Sequence, residues 1–109
     1  MSSVVTLHEQ FDTLAHLLRQ TISLLQESED KFWVAYLQRG LRQVEERKLA
    51  GATFVLGCYG GQDTFSDVVI GSHWQEAEPL KFKNANARLQ TLRTEVFESA
   101  GAIASRRHW

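Results

Sequence analysis

Apolar residues recur at helical spacing from the start of the chain. Leu7, Phe11, Leu14, Leu18, Ile22 and Leu25 follow one another at steps of four and three, with Leu17 and Leu24 widening the stripe, so one face of a first helix is set for burial. Thr6-Leu7-His8-Glu9 opens it as a capping box, in which Thr6 takes the Glu9 amide and Glu9 reaches back. The helix is expected to end near Gln26. Ser28-Glu29-Asp30 then offers a capping side chain and carboxylates suited to the positive end of a second helix dipole. In that second helix Trp33, Tyr36, Leu37, Leu41 and Val44 form the stripe, with Phe32 flanking it and Gln38, Arg39, Arg42, Gln43, Glu45 and Glu46 on the polar face. The two helices predict an antiparallel hairpin with Trp33 in the core. Gly40 lies inside the second helix, where glycine costs about 1 kcal/mol relative to alanine, so it marks the close approach of another element.

After Leu49 the pattern changes. Five of the seven glycines (Gly51, Gly57, Gly60, Gly61 and Gly71) bracket the apolar runs Thr53-Phe54-Val55-Leu56 and Val68-Val69-Ile70. This predicts a short third helix from about Ala50 to Cys58, followed by a structured loop. Ser72 to Lys83 holds the only proline, Pro79, and shows no sustained period; it is expected as an exposed loop. Asn84 or Asn86 would cap a long last helix whose Ala85, Leu89, Leu92, Val96, Ala100 and Ile103 again step by three and four. No repeat or interdomain linker interrupts the pattern. Residues 1–109 are therefore read as a single all-α domain, a small helical bundle of hairpin, short third helix with a glycine-rich loop, and long C-terminal helix.

Composition adds little to that picture and charge adds more. With 43% hydrophobic and 23% charged residues, the chain is too apolar for a disordered tail. It shows no leader pattern and no run near the roughly 18 apolar residues of a membrane span, which suggests a cytoplasmic protein. Cys58 is the only cysteine, so it is read as a small core residue, and no multi-cysteine metal site can assemble within one chain. The net charge of -1 hides an asymmetry: Met1 to Pro79 carries 6 basic and 11 acidic residues, whereas Leu80 to Trp109 carries 6 basic and 2 acidic. Pairing of the last helix with the earlier ones across their seam is the expected outcome.

The most unusual stretch is Tyr59-Gly60-Gly61-Gln62-Asp63-Thr64-Phe65-Ser66-Asp67-Val68-Val69. Gly60 and Gly61 can turn the backbone sharply, Thr64 and Asp67 can take free amide hydrogens at the start of a helical turn, and Phe65 would anchor the loop in the core. An anion site is the competing reading, since amide hydrogens converge at such turns. The phosphate-loop spacing with its lysine is missing, as is a dinucleotide fingerprint after a strand, and Asp63 and Asp67 would repel an anion. A structural role for Gly60, Gly61, Thr64 and Phe65 is therefore preferred. With the asparagine-led segment Asn86-Ala87-Arg88-Leu89-Gln90-Thr91-Leu92-Arg93, this motif resembles a family of short bacterial proteins of unassigned chemistry. These share an aromatic-led helical hairpin and a Tyr-Gly-Gly-x-x-Ser/Thr-Phe-x-Asp-Leu/Val-Val signature, and the resemblance spans about Phe32 to Phe97. It implies the fold and a bacterial source, and it supplies no catalytic residues. Gln62-Asp63 is more polar than the family pattern, which implies different loop electrostatics.

Other constellations have plain explanations. Asp63, Asp67 and His73 could form an acid–base group or hold a divalent cation, but a helix cap and a solvated carboxylate account for them. His8 and His16 are two helical turns apart, too far to share a metal. Trp74 and Trp109 are hard to place in the core, and Trp74 is weighed equally as a lid over the bundle and as a partner contact. Lys81, Lys83, Arg88, Arg93, Arg106 and Arg107 suggest nucleic acid, but the pI of about 6.4 argues against a dominant phosphate-binding face.

These readings converge on a non-enzymatic protein-binding module without metal or cofactor. By analogy, an immunity protein occluding a cognate bacterial toxin is such a module. Its contact residues would be the carboxylates Glu27, Glu29, Asp30, Asp63 and Asp67 with Tyr59 or Trp74 as aromatic anchor, facing a basic toxin domain. The alternatives are a small-molecule or nucleotide-binding protein that uses the glycine-rich loop, and a homodimeric helical scaffold.

Overall fold

A computed structural model describes residues 5–60 and 64–106. Gly61, Asp63 and Trp109 lie outside the described residues. Four α-helices run in order, α1 (Leu7–Glu27), α2 (Lys31–Glu45), α3 (Leu49–Leu56) and α4 (Pro79–Ala104), with short 3₁₀ turns at Phe65–Asp67 and Ser72–Trp74. The chain folds as an all-α bundle. The α1 and α2 helices form the expected hairpin, and α1 and α3 each pack against both α2 and α4.

Local sequence explains the helix ends. Thr6 Oγ1 accepts the Glu9 amide at 3.1 Å, and Asp30 Oδ1 accepts the Trp33 amide at 3.2 Å. The α1 helix closes in a Schellman turn, with Glu29 N donating to Gln26 O at 3.1 Å and Asp30 N donating to Leu25 O at 2.9 Å. The α2 helix closes the same way, Arg47 N donating to Val44 O at 3.0 Å and Lys48 N to Gln43 O at 3.1 Å. Such turns need a left-handed residue, usually glycine. Here Glu29 (φ 62°) and Arg47 (φ 60°) occupy those places. Arg47 is held there by its side chain, which donates to Asp12 Oδ1 at 2.5 Å and to His8 Nδ1 at 3.2 Å, tying the α2–α3 connection back to α1.

The core follows the predicted stripes. Phe11, Leu14, Leu18 and Leu25 of α1, Leu37 and Val44 of α2, Val55 of α3, and Leu89, Val96 and Ile103 of α4 are fully buried, together with Phe65 from the loop. Gly40 is where α3 crosses α2, since a Cβ there would lie 2.9 Å from Val55 Cγ2. Trp33 is only half-buried, so its place is the core's rim, where its ring packs 5.0 Å from that of Phe65.

Three expectations fail in instructive ways. The stretch Ser72 to Lys83 is not one exposed loop, because α4 begins at Pro79, which sits at the first helical turn, where a missing N–H costs nothing. Neither Asn84 nor Asn86 caps α4; both lie inside it. The α3 helix is Leu49–Leu56, shorter than Ala50–Cys58 at its C-terminal end. Charge pairing also differs from the expected seam. Among the described residues the ion pairs are local, join α1 to α2 and its end, as in Arg19–Glu45 at 2.7 Å, or link Glu29 at the hairpin turn to His73, and none involves α4.

Candidate functional site

The segment after α3 lies against α4 as a strap running in the opposite direction. Arg93 Nη1 donates to Phe65 O at 3.1 Å and to Val68 O at 2.8 Å. Two helical turns back toward the N-terminus of α4, Asn86 Oδ1 accepts the Ile70 amide at 2.8 Å while its Nδ2 donates to Ile70 O at 2.9 Å and to Phe82 O at 2.9 Å. Further back, Lys81 Nζ lies 4.4 Å from the centre of the Trp74 ring. Residues 65 to 74 thus meet 93, 86 and 81 in turn. Asn86 satisfies both backbone groups of a residue that no sheet or helix serves, as a neighbouring strand would.

The strap also corrects two residue roles. Trp74 is 8% exposed, so it is a lid over the bundle and not a partner anchor. Gly71 makes this possible: it is left-handed (φ 68°), and a Cβ there would run into the Trp74 ring. Thr64 stands at the N-cap of the first 3₁₀ turn without a side-chain capping bond, and Asp67 is exposed at its end. Backbone bonds hold the turn, with Phe65 N donating to Cys58 O at 2.9 Å. Gly60 takes positive φ (98°), and Phe65 is the expected buried anchor.

Among the concave regions that border the strap, two take in residues singled out from sequence as partner contacts. The first, of about 490 Å³, lies between the hairpin turn and the strap and is lined by Glu29, Asp30, Lys31, Val69 and His73. Glu29 Oε2 is 3.3 Å from His73 Nε2. Glu27, two residues before Glu29, is exposed but does not line this cleft, and Asp30 is partly committed to capping α2. Phe32, which follows Lys31, is 66% exposed, and Val69 is 65% exposed. Neither was singled out from sequence as a contact. Phe32 could have been found, because it lies off the α2 stripe next to the acidic turn.

The second region, of about 450 Å³, opens between the end of α3, the start of the strap and α4, and is lined by Leu56, Tyr59, Ser66, Arg93, Thr94 and Phe97. Tyr59 therefore belongs here and does not line the acidic cleft. Its ring packs 5.0 Å from Phe97 and 5.6 Å from Phe65, and its hydroxyl donates to Arg93 O at 2.7 Å. Burial raises the Tyr59 hydroxyl above its ordinary value, with the neighbouring Cys58 adding to the rise and Arg93 opposing it. Burial likewise pushes the Cys58 thiol up to about 12, so it stays protonated at neutral pH and is a poor nucleophile.

Among the described residues, no group of three His, Cys, Asp or Glu side chains is placed to hold a metal ion. No helix among them is long and apolar enough to cross a membrane. No protein-family model, curated protein or solved structure matches the chain.

Proposed function

We propose that this chain is a non-enzymatic protein-binding module that docks a basic partner on its hairpin-turn end. The observation that carries this reading is that the hairpin-turn carboxylates Glu29 and Asp30 line one cleft with the exposed Val69, while the exposed Glu27 and Phe32 flank that turn in sequence on either side. Exposed large apolar groups ringed by charge are the composition of a docking patch: the apolar centre supplies the desolvated contact, and the charge speeds encounter and rejects wrong partners. Glu29 adds to this, since a non-glycine residue held at positive φ is the kind of local strain that functional surfaces retain. Phe32, in place of Tyr59 or Trp74, supplies the aromatic anchor. At the finer level, the partner is a toxin domain with a basic active site, and the chain is its immunity protein in a bacterial cytoplasm; this part rests on analogy with compact helical proteins of similar size.

The test begins with affinity capture from a bacterial lysate and continues with the purified partner. Glu27→Lys combined with Glu29→Lys should slow association and flatten its salt dependence, because exposed charges act through screened long-range attraction. Phe32→Ser should mainly speed dissociation. A partner whose association and dissociation rates are unchanged in both variants would rule out this face.

A further inference from the structure

The cleft between α3, the strap and α4 has a composition that the docking reading does not use. Its volume, about 450 Å³, falls in the range of small-molecule pockets, roughly 300 to 1,000 Å³. Leu56 and the rings of Tyr59 and Phe97 make one side apolar and aromatic, and Phe97 remains 48% exposed there. Arg93 supplies the charge. Its guanidinium donates to the Phe65 and Val68 carbonyls and, through Nη2, to Gln90 Oε1 at 2.5 Å. All three acceptors are neutral. Among the described residues no carboxylate pairs with it, although a half-buried guanidinium ordinarily takes a carboxylate or phosphate as partner. Those bonds also fix the guanidinium plane while leaving donor positions on Nε and Nη2 uncommitted. The hydroxyls of Ser66 and Thr94 complete the polar side.

A fixed, uncompensated cation at the edge of an aromatic slot selects a ligand that is flat, apolar and singly negative. We infer that this cleft binds a small aryl or arylalkyl monocarboxylate, its ring against Leu56 and Phe97 and its carboxylate on Arg93 with the Ser66 hydroxyl. Ring–ring contact favours an aromatic over a saturated ligand. A nucleotide fits poorly, because a phosphate chain draws on several cations or convergent amides and the described residues of the cleft present one guanidinium. Asp67, on the same strap, does not line it. This inference is independent of the protein-docking reading, since neither Phe32 nor the acidic turn contributes to the cleft.

The test titrates the full chain with 3-phenylpropionate, with the neutral 3-phenylpropanamide as control, followed by amide chemical shifts. For so small a probe the expected affinity is roughly millimolar. The carboxylate should bind saturably, moving Tyr59, Ser66, Thr94 and Phe97 amides, and the neutral amide should bind at least about tenfold more weakly, as loss of a charge-assisted pair implies. Thr94→Trp, at an exposed position on α4 at the cleft's edge, should abolish binding while leaving the melting temperature near that of the parent. Equal binding of both probes, shifts centred elsewhere, no saturable shift, or full binding by a folded Thr94→Trp variant would each overturn the assignment.

Discussion

Asn86 is one small side chain on which the strap's attachment to α4 depends, and its removal makes a quantitative test. Asn86→Ala deletes an acceptor for the Ile70 amide and the donors to the Ile70 and Phe82 carbonyls. Each such bond contributes about 0.5 to 1.5 kcal/mol, more where its partner is left buried and unpaired. Alanine's better helix propensity returns a few tenths to about 0.7 kcal/mol. The net loss should be about 2 to 3 kcal/mol, which a domain stable by roughly 5 to 15 kcal/mol survives while folded. Asn86→Asp separates hydrogen bonding from size. It keeps an acceptor for the Ile70 amide but turns a second acceptor toward two carbonyl oxygens, so at neutral pH it should be at least as destabilising as alanine. The introduced carboxyl would be easier to protonate folded than unfolded. Its raised folded value means stability that is present below about pH 4 and lost as pH rises through that value. Urea unfolding of the three proteins at pH 4 and pH 7, followed by circular dichroism and tryptophan fluorescence, reads this directly. A loss under about 0.5 kcal/mol for Asn86→Ala, or an Asn86→Asp variant equal to the parent at pH 7, would show that the strap is held by packing alone.

Three further outcomes are expected. Gly71→Ala should cost about 2 to 4 kcal/mol, combining a left-handed alanine with a methyl group driven against the Trp74 ring, and should shift the tryptophan emission; a neutral result in thermal unfolding would refute the close packing seen there. Glu29→Gly should stabilise the chain by about 0.5 to 1 kcal/mol in urea unfolding by removing left-handed strain, since the contact it gives up with His73 joins two exposed side chains, and the same substitution should weaken any partner that uses the acidic turn. Cys58 should resist thiol reagents at pH 8 in the folded protein. Its raised value makes the folded state hold a proton that the unfolded chain releases, so stability should fall as pH climbs from the ordinary value of 9.0 through about 12, and Cys58→Ala should reduce that alkaline loss.

Most of the fold was legible because it is local. The Thr6 cap, the α1 and α2 stripes, the close approach at Gly40 and the buried Phe65 all follow from spacing and side-chain type, and the start of α2 was legible from Ser28-Glu29-Asp30, although Asp30 caps it while Ser28 closes α1. The start of α4 was missed for a local reason too: Pro79 is a good first-turn residue, and Phe82, Ala85 and Leu89 extend the stripe back toward it, but the Lys81 and Lys83 charges obscured the period. Other features were not legible at all. Asn86 has the composition of a cap and serves instead as a tertiary clamp, which depends on where Ile70 arrives in space. The burial of Trp74 depends likewise on a left-handed Gly71 and on Lys81, seven residues further along. At the candidate sites, the acidic turn could be read, whereas the separation of Tyr59 from it, and the bonding of Arg93 to three neutral oxygens beside Tyr59, come from the strap's path along α4.

The brevity of α3 bears on the protein's behaviour in a crowded cell. An eight-residue helix is too short to persist on its own, so α3 exists only while α2 and α4 hold it. From Leu49 to Tyr59 the chain carries no charge and no proline, and Thr53-Phe54-Val55-Leu56 is rich in residues that favour extended pairing. Each local opening that frees α3 exposes a segment able to associate with its like in a neighbouring molecule. Lys48 is the charge that guards its N-terminal side. The bonds by which Arg93 and Asn86 fasten the strap therefore do more than shape a surface: by slowing that opening, they set how long the chain remains free of self-association at a given concentration.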